Sequence, residues 1–339
     1  MTQGAEVDDL LARGLRELLA DHCTPNVVRE VEAGAAPDAL WGLIEASGFL
    51  DALVPESKGG AGLALSDVFP LLELCGSTVV PAPVAQTMLA RGLLAQSGMS
   101  DLPPGSIAIA TAGTVREGVL RCREVPYGRD ATHVLVEVEG AARLLKVDSS
   151  RRERAVFPLD ATLAWDVERI SQAPRLDAQC RLETVQAACI AAQISGALMH
   201  VFQRTLQYAN DRIQFGRPIG KFQAIQHQLS VLSEHTFASR MAAQIGCSSS
   251  DWKPDRIRAA VAKSRTSEAA LEAAGIAHSI HGAIGFTAEF DLQLYTRRLH
   301  AWRQAAGSES YWNGVLGEAL VDSTAPFALD LVRAATDLN

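Results

Sequence analysis

Apolar residues recur at helical spacing through the first hundred positions. Leu10, Leu11, Leu15, Leu18 and Leu19 fall on one face of a 3.6-residue period. Residues 39–49 repeat the pattern, with Gly48 placed to stop it. Pro55 and the glycines Gly59, Gly60 and Gly62 then mark a loop, and Ser66 or Asp67 is placed to cap the next helix. From Ser106 the period changes to two. SIAIATAG, GVLRCREV, THVLVEV and RLLKV are short, rich in Val, Ile and Leu, and separated by Gly, Asp and Pro, the pattern of a small β-domain ending near Leu176. From Leu182 helical spacing returns. Residues 185–202 are apolar around most of their circumference, as in a central bundle helix. Phe222, Ile225, Leu229 and Leu232 share one face, and a third helix is expected from 252–255 to Gly282 with Pro254 in its first turn. A fourth is expected over 291–305 and a fifth over 308–322. The pattern predicts an α+β, mainly α protein: an N-terminal helical domain (1–103), a central β-domain (104–178) and a C-terminal helical bundle (179–339).

Composition narrows the classes. With 339 residues, 48% hydrophobic and 21% charged, the chain has the balance of a globular protein large enough for two or three domains. A net charge of −8, with no basic face to offset it, argues against a nucleic-acid partner. No uninterrupted apolar run reaches membrane-spanning length and the first residues lack an apolar signal core, so a cytoplasmic protein without a membrane partner is expected. The six cysteines (Cys23, Cys75, Cys122, Cys180, Cys189 and Cys247) form no C-x-x-C pair and no His–Cys ligand spacing. Reduced thiols are expected, and no metal site.

Two stretches carry the candidate chemistry. Residues 208–229, YANDRIQFGRPIGKFQAIQHQL, end one helix and begin another, with Gly216, Pro218 and Gly220 in the turn between. Arg212 offers paired, permanently charged donors of the kind that fork onto a phosphate. Phe215, Ile219, Phe222 and Ile225 offer an apolar wall for a ring system, although the same residues would also fill an ordinary core. The second stretch begins HSIHGAIGF, where glycines let the backbone approach a cofactor or simply cap a helix. His281 at that helix end is as well suited to donating to a carbonyl.

The first stretch resembles the R-x-Q-F-G-x-P-I-x-x-F-Q-x-x-Q signature of the acyl-CoA dehydrogenase flavoproteins, through Arg212, Gln214, Phe215, Gly216, Pro218, Ile219, Phe222, Gln223 and Gln226. The second resembles the family's Q-x-H-G-G-x-G passage, through His281, Gly282, Gly285, Glu289 and Tyr295, with Ser279 where Gln is usual and Ala283 where the second Gly is usual. VPESKGGAG and VPYGRDATHVLVEV are similar to family passages of the N-terminal and central domains. The resemblance implies an acyl-CoA dehydrogenase-like fold, here with a reduced β-domain, and an FAD-dependent enzyme that puts an α,β double bond into an acyl-CoA thioester. It implies that Arg212 meets the FAD pyrophosphate and that Gln214, Phe215, Ile219, Phe222 and Ile225 pack near the cofactor. Ser279, Gly282 and Gly285 would hold the adenosine end of an FAD bound mainly by a neighbouring subunit.

The chain also departs from the family. No counterpart of the T-E-P-x-x-G-S-D flavin-ring segment is found. The catalytic carboxylate of the family stands in one of two places, and these positions hold Ala306 before Gly307 and Gln186, 22 residues before Tyr208; Ala187 replaces the CoA-facing arginine. No catalytic residue is therefore assigned. Glu183 and Glu309 are nearby carboxylates, the first suited to a helix N-terminus and the second on the wrong side of Gly307. The combination resembles one subunit of a heteromeric, α2β2-type acyl-CoA dehydrogenase acting on steroid-derived CoA thioesters, which completes the FAD site of a full-length partner and passes electrons to an electron-transfer flavoprotein or similar acceptor. Two rivals stay open: a self-sufficient homo-oligomeric enzyme using Glu183 or another carboxylate, and a flavin-free structural subunit.

Overall fold

The computed structural model describes residues 3–99, 101–177, 179–323 and 327–336. Five helices come first: α1 (Gln3–His22), α2 (Pro25–Glu32), α3 (Asp38–Ala46), α4 (Leu65–Ser77) and α5 (Val84–Gln96). Gly48 adopts φ +80° just beyond α3, the left-handed conformation of a helix stop. The expected cap of α4 needs correcting. Ala64 is the N-cap residue, and Asp67 closes the first turn by accepting a hydrogen bond from the Ala64 amide at 3.1 Å.

Two four-stranded sheets follow. The first has the order β1 (Ile107–Ala110), β4 (His133–Val138), β5 (Ala141–Lys146), β8 (Arg175–Leu176). The second has the order β2 (Gly113–Arg116), β3 (Val119–Val125), β7 (Ala161–Asp166), β6 (Arg151–Arg154), with the short helix α6 (Val167–Gln172) after β7. The first sheet is buried on both faces. Ile107, Ile109 and Leu135 join the helical core, while Ala108, Ala110, Val134 and Val136 pack with Leu120, Leu163 and Trp165 of the second sheet. Strands β2, β6, β7 and β8 escape the expected pattern: three of four residues are exposed in β2 and all four in β6, five in succession are buried in β7, and β8 is only two residues long. Ala178, the expected end of the β-domain, lies outside the described residues.

The C-terminal part holds α7 (Leu182–Asp211), a two-stranded hairpin β9 (Ile213–Gln214) and β10 (Arg217–Pro218), then α8 (Gln223–Gly246), α9 (Arg256–His281), α10 (Leu292–Gln304), α11 (Glu309–Asp322) and α12 (Ala328–Thr336). Contrary to expectation, Pro254 precedes α9. Asp255 is its N-cap, and the carboxylate accepts from the Ile257 and Arg258 amides at 2.9 Å each. Helix α7 is, by length and composition, apolar enough to cross a membrane, which the run of apolar residues did not suggest, but 83% of that window is buried inside the protein. It crosses α4 backbone to backbone. A Cβ on Gly76 would stand 1.9 Å from the Gln193 carbonyl oxygen, and one on Gly196 1.9 Å from that of Glu73. Glu73 joins the crossing to α8, accepting from Ser195 Oγ at 3.1 Å and from Arg240 Nε at 2.8 Å.

Candidate functional site

The hairpin after α7 turns on Phe215 and Gly216, with φ of +51° and +77°. Two positive values are what a two-residue hairpin turn of primed type requires, and a phenylalanine at one of them is uncommon. The Ile219 amide donates to the Arg212 carbonyl at 2.8 Å and closes the base of the loop. On the other side, α9 ends at His281, and Gly282 takes φ +63°, ψ −146°, a backbone region that belongs to glycine.

These two turns meet. Tyr208 Oη donates to the His281 carbonyl at 3.3 Å, the two rings stack at 4.3 Å between centroids, and Gln228 Nε2 donates to Ser279 Oγ at 3.2 Å. Between the turns lies a cleft of about 590 Å³. Arg212, Gln214, Phe215, Ile219, Phe222 and Ile225 line it from one segment, and Ser279 and Gly282 from the other. Gly285 does not line the cleft. It is buried behind the wall, where a Cβ would come within 3.1 Å of His281 Cβ and Leu292 Cδ2. Tyr208 and His281, which frame the cleft, are absent from the residues that the sequence singled out for binding, although His281 matches the family's Q-x-H-G-G-x-G passage.

The cleft sets an exposed cation beside an apolar wall. Arg212 is exposed, and its guanidinium has no partner among the described residues. The Arg217 guanidinium lies 4.2 Å over the Phe222 ring, with Phe215 edge-on to the same ring at 6.2 Å. Nothing lies within 4 Å of a Cβ built on Gly282. His281 Nδ1 is 2.8 Å from the Ala277 carbonyl, which fixes the proton on Nδ1 if the ring is neutral, and burial pulls its pKa down. Its buried Nε2 has no partner among the described residues. These features fit FAD: a guanidinium for the pyrophosphate, an apolar wall, and a glycine turn open to close approach. Arg29 of α2 supports the glycine turn from behind. Its Nε donates to the Ala288 carbonyl at 3.1 Å and its Nη2 to the Glu289 carbonyl at 3.1 Å and to Asp291 Oδ1 at 2.5 Å. Nothing local in the sequence joins residue 29 to residue 288.

A second cavity, of about 270 Å³, opens between the sheets, α7 and the end of α10. It contains Gln186 and Ala306, the two positions where the family resemblance places a catalytic carboxylate, together with Gly307. Gln186 is fully buried, and neither its Oε1 nor its Nε2 has a partner among the described residues. Glu183 does not line this cavity. Its carboxylate pairs with Arg256 at 3.2 Å and Arg181 at 3.5 Å and accepts from Tyr311 Oη at 2.8 Å. Glu309 is held by Arg303, which lowers its pKa. Two acids that sequence reasoning passed over, Glu124 and Asp160, do line the cavity. Burial pushes the Asp160 carboxyl up to about 6 despite Arg298 beside it, and its Oδ1 accepts from the Tyr127 amide at 3.1 Å. Among the described residues there is no group of three His, Cys, Asp or Glu able to hold a metal.

Comparison with known proteins places the fold. The profile of the acyl-CoA dehydrogenase C-terminal domain matches residues 182–320. The protein named acyl-CoA dehydrogenase IpdE2 from Mycolicibacterium smegmatis is 31% identical over 317 residues, which cover 89% of this chain and 95% of that one. A solved structure described as the Tcur3481–Tcur3483 steroid ACAD superposes with TM-score 0.84 at 25% identity, covering 94% of this chain and 99% of its counterpart. The ChsE4–ChsE5 complex from Mycobacterium tuberculosis shares the fold, with TM-score 0.79 at 21% identity over 96% of this chain and 99% of its counterpart. The two converging turns, and a relative matched nearly end to end, lead to one assignment: the chain belongs to the acyl-CoA dehydrogenase family of FAD-dependent oxidoreductases.

Proposed function

We propose that this chain is the non-catalytic subunit of a heteromeric acyl-CoA dehydrogenase, acting in the cytoplasm and completing the FAD site of a homologous full-length partner. The observation that carries the reading is a division within the molecule. The cleft formed by residues 208–225 and 279–284 keeps an exposed Arg212, unpaired among the described residues, and an apolar wall, whereas Gln186 and Ala306 stand where the family resemblance puts the base. Arg212 holds the pyrophosphate, while Gln214, Phe215, Ile219, Phe222 and Ile225 pack near the cofactor. Ser279 and Gly282 meet the adenosine end, with Gly285 setting the turn. Bound FAD supplies the hydride acceptor for α,β-desaturation. Abstraction of the α-proton of the acyl thioester is very unfavourable without a positioned base in a dry site, so the partner supplies that carboxylate. The names of two similar structures, a steroid ACAD and a two-protein complex, support a heteromer and a steroid-derived acyl-CoA substrate, with an electron-transfer flavoprotein or similar acceptor.

The test is flavin content. The chain purified alone should be nearly colourless. Co-expressed with full-length acyl-CoA dehydrogenase chains, it should co-purify as a yellow pair with one FAD per heterodimer, and Arg212→Ala should lower that occupancy at least tenfold. Unchanged occupancy in the variant pair would favour the flavin-free structural subunit. The self-sufficient reading is favoured by one observation, the buried Asp160 carboxyl in the second cavity, poised near neutral pH. It requires the lone chain to be yellow and active, and Asp160→Asn to abolish turnover with flavin retained. Glu183→Gln is expected to leave turnover unchanged, because Glu183 is already committed to Arg256 and Tyr311.

A further inference from the structure

The outer face of the second sheet gathers arginines that its own acids do not all neutralise. Residues paired across a sheet present their side chains to the same face. The register therefore sets Thr114, Arg121, Ala164 and Arg151 in one row, and Arg116, Val119 and Asp166 in the next. Two of these cations are committed within the sheet: Arg121 pairs with Glu153 at 2.5 Å and Arg151 with Asp166 at 3.1 Å. Arg116 and Arg123 are exposed and have no ion pair among the described residues. Arg123 owes its place to an irregularity in β3. The register shifts between Cys122 and Val125, Glu124 takes φ +46°, and Arg123 and Glu124 are exposed in succession. A bulge of this kind re-aims a side chain, at the cost of strain in a non-glycine residue.

Three of these arginines share a groove. Arg116, Arg121 and Arg123 line a space of about 480 Å³ together with Thr114, Val119 and Glu117, the last at the turn between β2 and β3. On a chain of net charge −8 this is a local excess of cation, three against one. Like charges crowded on one face repel unless an anion lies among them. Successive rows on one face are two residues, or roughly 7 Å, apart along the strands, so the three arginines form a line rather than a point. An elongate anion with charge on two joined groups meets such a line better than a single compact ion. Each guanidinium fork suits phosphate oxygens. From this placement we propose that the groove is a diphosphate-binding site, taking inorganic pyrophosphate or the diphosphate of a nucleotide. It shares no residue with the cleft between the two turns and is independent of the flavin reading. Ala112 and Arg123 also reach the second cavity, whereas Arg116, Glu117 and Arg121 belong to the groove alone.

Pyrophosphate is the probe, with orthophosphate as the matched control and ADP as the nucleotide arm. Each is titrated calorimetrically into the full chain and into Arg212→Ala, which keeps the groove and removes the cation of the other cleft. The expected result is saturable one-to-one binding of pyrophosphate, at least tenfold tighter than orthophosphate and equal in the two chains. Arg116→Gln and Arg123→Gln should each weaken it about tenfold, through loss of a charge-assisted fork. Glu117→Gln should instead tighten it roughly threefold by removing a repulsion, a change of sign that general surface damage does not produce. All three side chains are exposed, and thermal midpoints are read alongside, so that a variant that fails to fold is replaced by the other two. Whichever of pyrophosphate and ADP binds tighter assigns the source, free or nucleotide-borne. Absence of saturable binding, equal binding of orthophosphate, loss of binding in Arg212→Ala, or undiminished binding by folded Arg116→Gln would each overturn the proposal.

Discussion

Phe215 shows in one residue how a site and a fold can be at odds. It is 92% exposed, holds φ +51° and buries almost none of its ring in this chain. A side chain in left-handed backbone is strained, and Asn tolerates that region better. Phe215→Asn should therefore raise the stability of the lone chain by about 1 kcal/mol in denaturant titrations, while flavin retention by the complex falls. A loss of stability in the lone chain would mean that the ring packs where the structure leaves it free. Asp160 makes a prediction about pH. Its folded carboxyl is pushed up to about 6 from 3.8, so the native chain holds a proton there that the unfolded chain has released. The favourable contribution is complete below about pH 4 and is lost as pH rises through 6. Measured against Asp160→Asn, the parent should lose on the order of 2 kcal/mol between pH 4 and pH 7. A difference that does not change with pH would show that Arg298 already compensates the charge.

At the scale of elements, α4 and α7 decide whether the bundle can carry the site at its far end. Their backbones touch at Gly76 and Gly196, with Glu73 bridging to α8. Because Gly196→Ala would drive a methyl group to 1.9 Å from the Glu73 carbonyl, the helices must separate. A destabilisation of roughly 2–4 kcal/mol is expected by chemical denaturation, and a drop under 1 kcal/mol would show that the crossing yields easily. Lys263 works at the other end of the bundle. Fully buried, it donates to Ser267 Oγ, the Arg303 carbonyl and the Gly307 carbonyl at 2.7, 3.0 and 2.9 Å. Burial pushes its pKa down to about 7, yet these acceptors favour the ammonium form. It thereby fixes the Gly307 turn that walls the second cavity.

For the molecule as a whole, the apolar surface is uneven around the cleft between the two turns. Ile213, Phe215, Ile284 and Phe286 are 65%, 92%, 43% and 69% exposed, and all lie on the two turns that form it. If a partner closes over this face, amide exchange of residues 212–225 and 279–286 should slow at least tenfold in the flavin-loaded complex relative to the lone chain. Exchange that is unchanged there, with protection elsewhere, would move the interface to another face. The six thiols are separate from this surface. All are free, five are buried, and burial pushes Cys23, Cys75, Cys122 and Cys247 up to about 12, which keeps them unreactive.

Much of the architecture is written in short-range pattern. Helical spacing marks the helices, and short apolar runs between turn residues mark four strands, β1, β3, β4 and β5, of the eight in the two sheets. The order of residue types from Arg212 to Gln226, with Gly216 at one of the two positive-φ positions, marks the turn between α7 and α8 but not its two short strands. Pattern fails where burial is the same on successive residues, as in β6 and β7, and where a cap competes with a neighbouring proline, as Asp255 does with Pro254. What only tertiary structure decides is adjacency. Packing of α7 against α9 brings Tyr208 to His281 across 73 positions, and that contact turns two separate motifs into one cleft. The folded chain also brings Asp160 and Gln186 to the wall of a single cavity and aims Arg29 at the turn before Asp291. Such contacts depend on the angle and depth at which helices dock, quantities set by the whole core, so no local run of residues encodes them.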